Sequence, residues 1–261
     1  MGGYTKSENF PTTTGAFDPT YNYTEGPHYS DGIVFILSPE LDSLIASTHL
    51  GGYNSDDIRS VIIDQDNRIV VAGISNSDDF PVTSGTFDTH LDAHPIVISR
   101  LTEDLSALLM STYVEGTNGY LEIHQIVEEP DGKFVIVAHT NSTDFPTTPG
   151  AYDDTMHGDM DLLLFRMTSD LSDLVHGTFI GGSRYDYAAG LAVDTDGTIV
   201  VLGDSASPDF PTTLGTFDPT FNAHPVFSYP DLVVFRMSYD LMYRPRLFGQ
   251  TFDHQAAVSK L

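Results

Sequence analysis

The sequence predicts an all-β fold, and three observations predict it. A ten-residue pattern recurs four times along the 261 residues, short apolar runs rich in β-branched residues follow each copy, and Gly, Asp, Asn and Pro bound those runs. The pattern is Asn9-Phe10-Pro11-Thr12-Thr13-Thr14-Gly15-Ala16-Phe17-Asp18, then Asp79 to Asp88, Asp144 to Asp153 and Asp209 to Asp218. Its first Phe falls at 10, 80, 145 and 210, giving spacings of 70, 65 and 65 residues. That period holds one supersecondary unit of four strands.

Each pattern is followed by an apolar run: Ile33 to Leu37, Ile96 to Ile98, Leu162 to Phe165 and Leu232 to Phe235. A second run follows a turn, at Leu44 to Leu50, Leu108 to Val114, Leu174 to Ile180 and Arg246 to Phe248. After Gly51-Gly52, Glu115-Gly116 or Gly181-Gly182 comes a third, as in Ile58 to Ile63 and Ala188 to Val193. An Asp/Gly turn then leads to the fourth, Ile69 to Ala72, Phe134 to Ala138 and Ile199 to Leu202. Unbroken apolarity of this length means that both faces are covered, and like sheets stacked as propeller blades supply that cover. The chain therefore reads as one β-propeller domain, 1–261, with units of about 1–75, 76–140, 141–205 and 206–261. Thr102-Glu103-Asp104-Leu105 and Thr168-Ser169-Asp170-Leu171 resemble helix N-caps, but only about two turns follow before strand-like residues resume, so they are read as hairpin turns.

Charge narrows the partners. Lys and Arg number 11 against 37 Asp and Glu, a net charge of -26, and such a field repels nucleic acid and anionic membrane surfaces. Asp is the larger part, 29 residues against 8 Glu, which suits a chain with many tight turns. Lys is scarce, at 3 residues beside 8 Arg; a surface hydrated in concentrated salt and one that collects divalent cations are both compatible with that bias. Zero Cys excludes disulfides, thiolate nucleophiles and Cys-ligated metals. No apolar run reaches membrane-spanning length, and the first residues lack the pattern of a signal peptide.

Gly-Gly, a variable link, an apolar strand ending in Asp, a Gly turn, another strand and then Asp-Phe-Pro-Thr-Thr-x-Gly-x-Phe-Asp together resemble the seven-bladed β-propeller (SBBP) repeat family. The Asp-x-Asp-Gly turn is also similar to NHL repeats. Gly181 to Asp194 with Gly197 to Asp218 matches best. The resemblance implies a propeller, a secreted or cell-surface setting, and no shared catalytic apparatus. The second unit departs from it, with Glu115-Gly116 for Gly-Gly and His94-Pro95 in the place held by Asp161 or Asp231. On the register of NHL-type blades, Gly2 to Thr5 is the tail of a second strand, and the first unit lacks its inner strand. His254 to Leu261 aligns with Asp186 to Val193, which opens an inner strand. Pairing of the two ends is therefore expected to close the ring and hide two sheet edges, as a four-bladed monomer or as an eight-bladed ring formed between two chains; a piece of a longer propeller would present the same ends.

Candidate chemistry sits in loops. Asp64-Gln65-Asp66-Asn67 and Asp194-Thr195-Asp196-Gly197 gather carboxylates as a Ca²⁺ loop does, with Asp64, Asp66, Asp194 and Asp196 as ligands; Asp-Gly is equally the mark of a tight hairpin. The Phe-Pro loops are expected to bury Phe80 and Phe87, Phe145 and Tyr152, and Phe210 and Phe217 between blades. His94 and His224 each stand seven residues after Phe87 and Phe217, at equivalent ring positions, and are candidates for ligand binding. No nucleophile elbow or phosphate-cradling motif occurs. Three functions are compatible with this: a non-enzymatic scaffold binding a protein or glycan, a carbohydrate-active enzyme with acids and His at the channel mouth, and a Ca²⁺-stabilised module.

Overall fold

The structure, a computed structural model, describes residues 1–22, 29–213, 215–222, 230–237 and 257–260. Fifteen strands and no helix occur among them. β1 (Gly2–Thr5), β2 (Asp31–Leu37) and β3 (Leu44–His49) form a three-stranded first sheet. The second holds β4 (Asp56–Ile63), β5 (Ile69–Ser75), β6 (Ile96–Leu101) and β7 (Leu108–Val114). The third holds β8 (Leu121–Glu128), β9 (Phe134–Thr140), β10 (Asp161–Met167) and β11 (Leu174–Ile180). β12 (Asp186–Val193), β13 (Ile199–Ser205), β14 (Asp231–Met237) and β15 (Ala257–Lys260) make the fourth. Each sheet is an antiparallel meander of the propeller-blade type, and among the described residues the first lacks its inner strand, as expected.

Sheets stack in chain order, with three apolar layers between them. Side chains alternate across a strand, and β5 displays the consequence. Ile69 and Val71 pack toward the first sheet, while Val70 and Ala72 pack toward the third. Two buried faces per strand explain the unbroken apolar runs. The inner strands β4, β8 and β12 stand side by side, with β8 in the middle.

The segments between the third and outer strands are hairpin turns. Leu41, Leu105 and Leu171 occupy equivalent positions in them, with φ of 60, 58 and 56°. That left-handed conformation ends the turn and is uncommon for a branched residue. Leu105 and Leu171 are fully buried, and packing holds them there.

Two expectations need correction. The first and last strands do not pair: among the described residues β1 bonds β2 alone, and Ala257–Lys260 lies on β14, the edge that β3, β7 and β11 cover in the other sheets. An open edge next in sequence is nearer than one at the far end of the stack, so the loop-closure cost is smaller. The second concerns the loop rings. Phe80, Phe145 and Phe210 are buried and Phe87 and Tyr152 pack on the core, but Phe217 is 87% exposed. No described sheet follows the fourth to cover it. Arg246 to Phe248, expected as an outer strand, lies outside the described residues.

Candidate functional site

All three inner strands carry a bulge at the same point. The ladder slips between Ile58 and Ser60, between Ile123 and Gln125, and between Ala188 and Gly190. The extra residues are Arg59, His124 and Ala189, spaced one unit apart. A bulge re-aims a side chain out of the ladder. The backbone is thus repeated while the chemistry presented differs from sheet to sheet.

Around Arg59 and His124 a polar cluster converges. Arg59 Nε lies 2.6 Å from Asp57 Oδ2, and its Nη1 lies 3.3 Å from Glu122 Oε1. The Tyr120 hydroxyl donates to Glu122 Oε2 at 2.5 Å. His124 Nε2 and His139 Nδ1 are 2.7 Å apart, so one ring donates to the other, and His139 Nε2 is 3.8 Å from Glu122 Oε2. The Tyr187 ring meets His139 edge-on at 4.8 Å and stacks with Tyr185 at 6.0 Å.

Burial sets the protonation states. Desolvation pushes His139 down to about 4, helped by His124, and lowers His124 as well, so the imidazole pair is neutral. Asp57 is raised because desolvation outweighs Arg59. At Glu122 desolvation pulls upward, but the Tyr120 hydrogen bond and the Arg59 charge outweigh it, and the carboxylate stays ionised. Tyr120, pushed up to about 12 by desolvation and Glu122, keeps its proton and donates.

Beside this cluster opens a cleft of about 420 Å³, within the range of small-ligand sites. Tyr4, Lys6, Asp57, Arg59, Asn76, His94 and Tyr120 are among its walls. His94 Nδ1 lies 2.6 Å from Asn76 Oδ1, which places the proton on Nδ1. The walls carry Lys6 and Arg59 beside Asp57, and Glu122 reaches Arg59 from outside them, so the cleft does not share the acidity of the rest of the protein.

The sequence candidates are placed as follows. His94 lines the cleft, while His224 lies outside the described residues. Asp64 is buried and holds Arg100, with Oδ2 2.6 Å from Nε and 2.5 Å from Nη2. Its other oxygen accepts the Asp66 and Arg68 amides. Asp66 faces Arg68 at 3.4 Å. Asp194 accepts the Thr195 amide and Asp196 the Thr198 amide, in a turn that Gly197 completes with φ of 80°. Among the described residues no three His, Asp or Glu side chains converge on a point that could hold a metal ion. Arg59, Tyr120, Glu122, His124 and His139 escaped the sequence reading. Comparing the unit-spaced triplets Asp57, Glu122, Tyr187 and Arg59, His124, Ala189 is the signal that finds Arg59, Glu122 and His124; Tyr120 and His139 join them only through the fold.

No family model matches the chain, and no curated protein matches it. Among solved structures it is similar to a protein of unknown function from Bacteroides caccae, at 12% identity and a TM-score of 0.29. The match covers 67% of this chain and 64% of that protein. A likeness of that size carries no argument about fold or function.

Proposed function

We propose that the chain is a rigid binding scaffold that takes a short glycan in the cleft beside β4. The observation that carries this reading is the make-up of the cleft: exposed Tyr4 and Tyr120 rings beside Asn76, Asp57, Arg59 and His94. A sugar has an apolar C–H face and a rim of hydroxyls, so aromatic surface plus planar hydrogen-bonding groups suits it. The family resemblance supports a secreted or cell-surface setting. Glycan-array binding followed by calorimetry tests the reading: Tyr120→Ala and Asn76→Ala should each weaken affinity about tenfold, the loss of roughly 1.4 kcal/mol. Unchanged affinity in both variants would end it.

A second reading, a carbohydrate-active enzyme, is favoured by the cluster of Tyr120, Glu122, His124 and His139, whose histidine pair is replaced by Arg59 and Ile74 in the second sheet and by Ala189 and Asp204 in the fourth. Release of cleaved sugar by the wild type and its loss in Glu122→Gln would support it. Binding without turnover would leave the scaffold.

A further inference from the structure

The inner seams define how one sheet receives the next. Phe17 N donates to Leu105 O at 2.9 Å, and Phe87 N donates to Leu171 O at 2.8 Å, so a loop Phe of one sheet seats on the left-handed Leu turn of the following sheet. Leu105 and Leu171 are fully buried by this contact and its surroundings. Among the described residues, the same parts stand unmated at the two ends of the stack. Leu41, in the first sheet's turn, is 72% exposed with the same left-handed φ of 60°. Phe217, in the fourth sheet's loop, is 87% exposed.

Strand faces tell the same story. Val137 and Leu162 on the third sheet are fully buried against the fourth. Their counterparts on the fourth sheet, Leu202 and Leu232, are exposed. Apolar surface that is contiguous with a ring and left open marks an interaction face. The two open faces are unlike each other, one a knob and one a socket, so the contact they make is head-to-tail.

We propose that the fourth sheet of one copy docks on the first sheet of a second copy, with Phe217 seated on the partner's Leu41 turn as Phe87 is seated on Leu171. Two such seams close a two-copy ring. The outer seam reuses the loop-on-turn contact of the inner ones, without the inner strand that β4, β8 and β12 add to those, and a second copy offers the socket that the chain's own first sheet, at the opposite end of the stack, does not bring to Phe217. Each chain carries a net charge of -26, so association strengthens as salt screens the repulsion.

Light scattering and analytical ultracentrifugation over a range of protein and salt concentrations give the test. The wild type should weigh twice the chain mass of 28.5 kDa, more completely at high salt. Phe217→Asp and Leu41→Asp alter exposed side chains, so both should keep the wild-type circular dichroism yet run as monomers. Mixed together, the two variants should recover a dimer, because each retains the face the other has lost. A wild type that stays monomeric at every concentration overturns the proposal whatever the variants do. So does a dimer that both variants preserve, or a mixture that fails to associate.

Discussion

Asp31 and Asp56, from neighbouring sheets, close on the α-carbon of Gly51: a methyl group there would collide with Asp31 Oδ1 and stand 2.7 Å from Asp56 Oδ2. Both carboxyls are buried. Asp56 accepts from Gly52 N at 2.7 Å, from Ser77 Oγ at 2.9 Å and from Ser75 Oγ, whereas Asp31 Oδ1 has no partner. His49 Nδ1 is 3.2 Å from Asp31 Oδ2 but not aligned for a hydrogen bond. Asp161 closes on Gly181 in the same way and Asp186 accepts from Gly182 N at 2.7 Å, each with its Oδ1 unpartnered.

Stability should therefore fall as pH rises. Desolvation, with the Asp31 charge, lifts Asp56 from 3.8 to about 7, and desolvation with the Asp186 charge lifts Asp161 likewise to about 7. The folded chain keeps a proton that the unfolded chain sheds, so the contribution is complete below about 4 and lost on passing about 7. Each retained proton is worth on the order of 1.4 kcal/mol per pH unit in that window. Melting temperature measured from pH 5 to pH 8 should drop in the wild type and flatten in Asp56→Asn, Asp161→Asn; an equally steep double variant refutes the assignment.

The glycines of these seams should tolerate nothing larger. Gly181→Ala drives a methyl into the Asp161 carboxylate and should cost about 2–3 kcal/mol, in the range of an overpacked core. Gly3→Ala meets nothing within 4 Å and should be nearly neutral. Urea denaturation of both variants compares them directly, and equal midpoints would contradict the packing described.

The middle seam explains why the second unit departs from the repeat. There Glu115 replaces the glycine, Pro95 replaces Asp31 or Asp161, and Leu121 replaces Asp56 or Asp186. Glu115 accepts the Asp92 and Ala93 amides at 2.7 and 2.6 Å, as Asp31 accepts that of Asn22 and Asp161 that of His157. One carboxylate from the other side of the seam does the work of the pair. The sequence alone marked Glu115 and Pro95 as departures, but their compensation is a contact across 22 and 23 residues that only the fold supplies.

Strands were legible because two-sided burial writes continuous apolar runs, and the missing inner strand was legible from unit alignment. The bulges were not, since one extra residue in a ladder leaves no trace in the apolarity of a strand. Phe217 follows the same local pattern as Phe87; only the neighbouring sheet differs, and a repeat cannot announce where its stack stops.

Turn carboxylates should matter through arginine. Glu129 Oε2 and Oε1 accept from Arg166 Nε and Nη2 at 2.6 and 2.7 Å, and both side chains are fully buried. Arg100 and Asp64 form the same pair one sheet earlier, while Ile36 stands at the matching site of the first sheet, which has no inner strand and no such turn. Glu129→Gln strands a buried guanidinium and should cost about 3–5 kcal/mol. Asp66→Asn, at an exposed pair with Arg68, should change stability by less than about 1 kcal/mol. Guanidinium titrations settle the contrast, and similar costs would mean that Arg166 is not held as described.

The imidazole pair should oppose the carboxyl pairs on the acid side. His139, buried against Tyr187 and His124, is lowered by desolvation and by His124 from 6.5 to about 4. The unfolded chain takes up a proton near 6.5 that the folded chain refuses until about 4, so this contribution is present above 6.5 and lost as pH falls toward 4. Removing it should let the carboxyl pairs act alone. In His139→Gln the gain in melting temperature between pH 7 and pH 5 should therefore exceed that of the wild type. Proton NMR of the wild-type ring gives the independent check: a His139 resonance that titrates near 6.5 would place it in water, and the cluster around Glu122 would then be open rather than sealed.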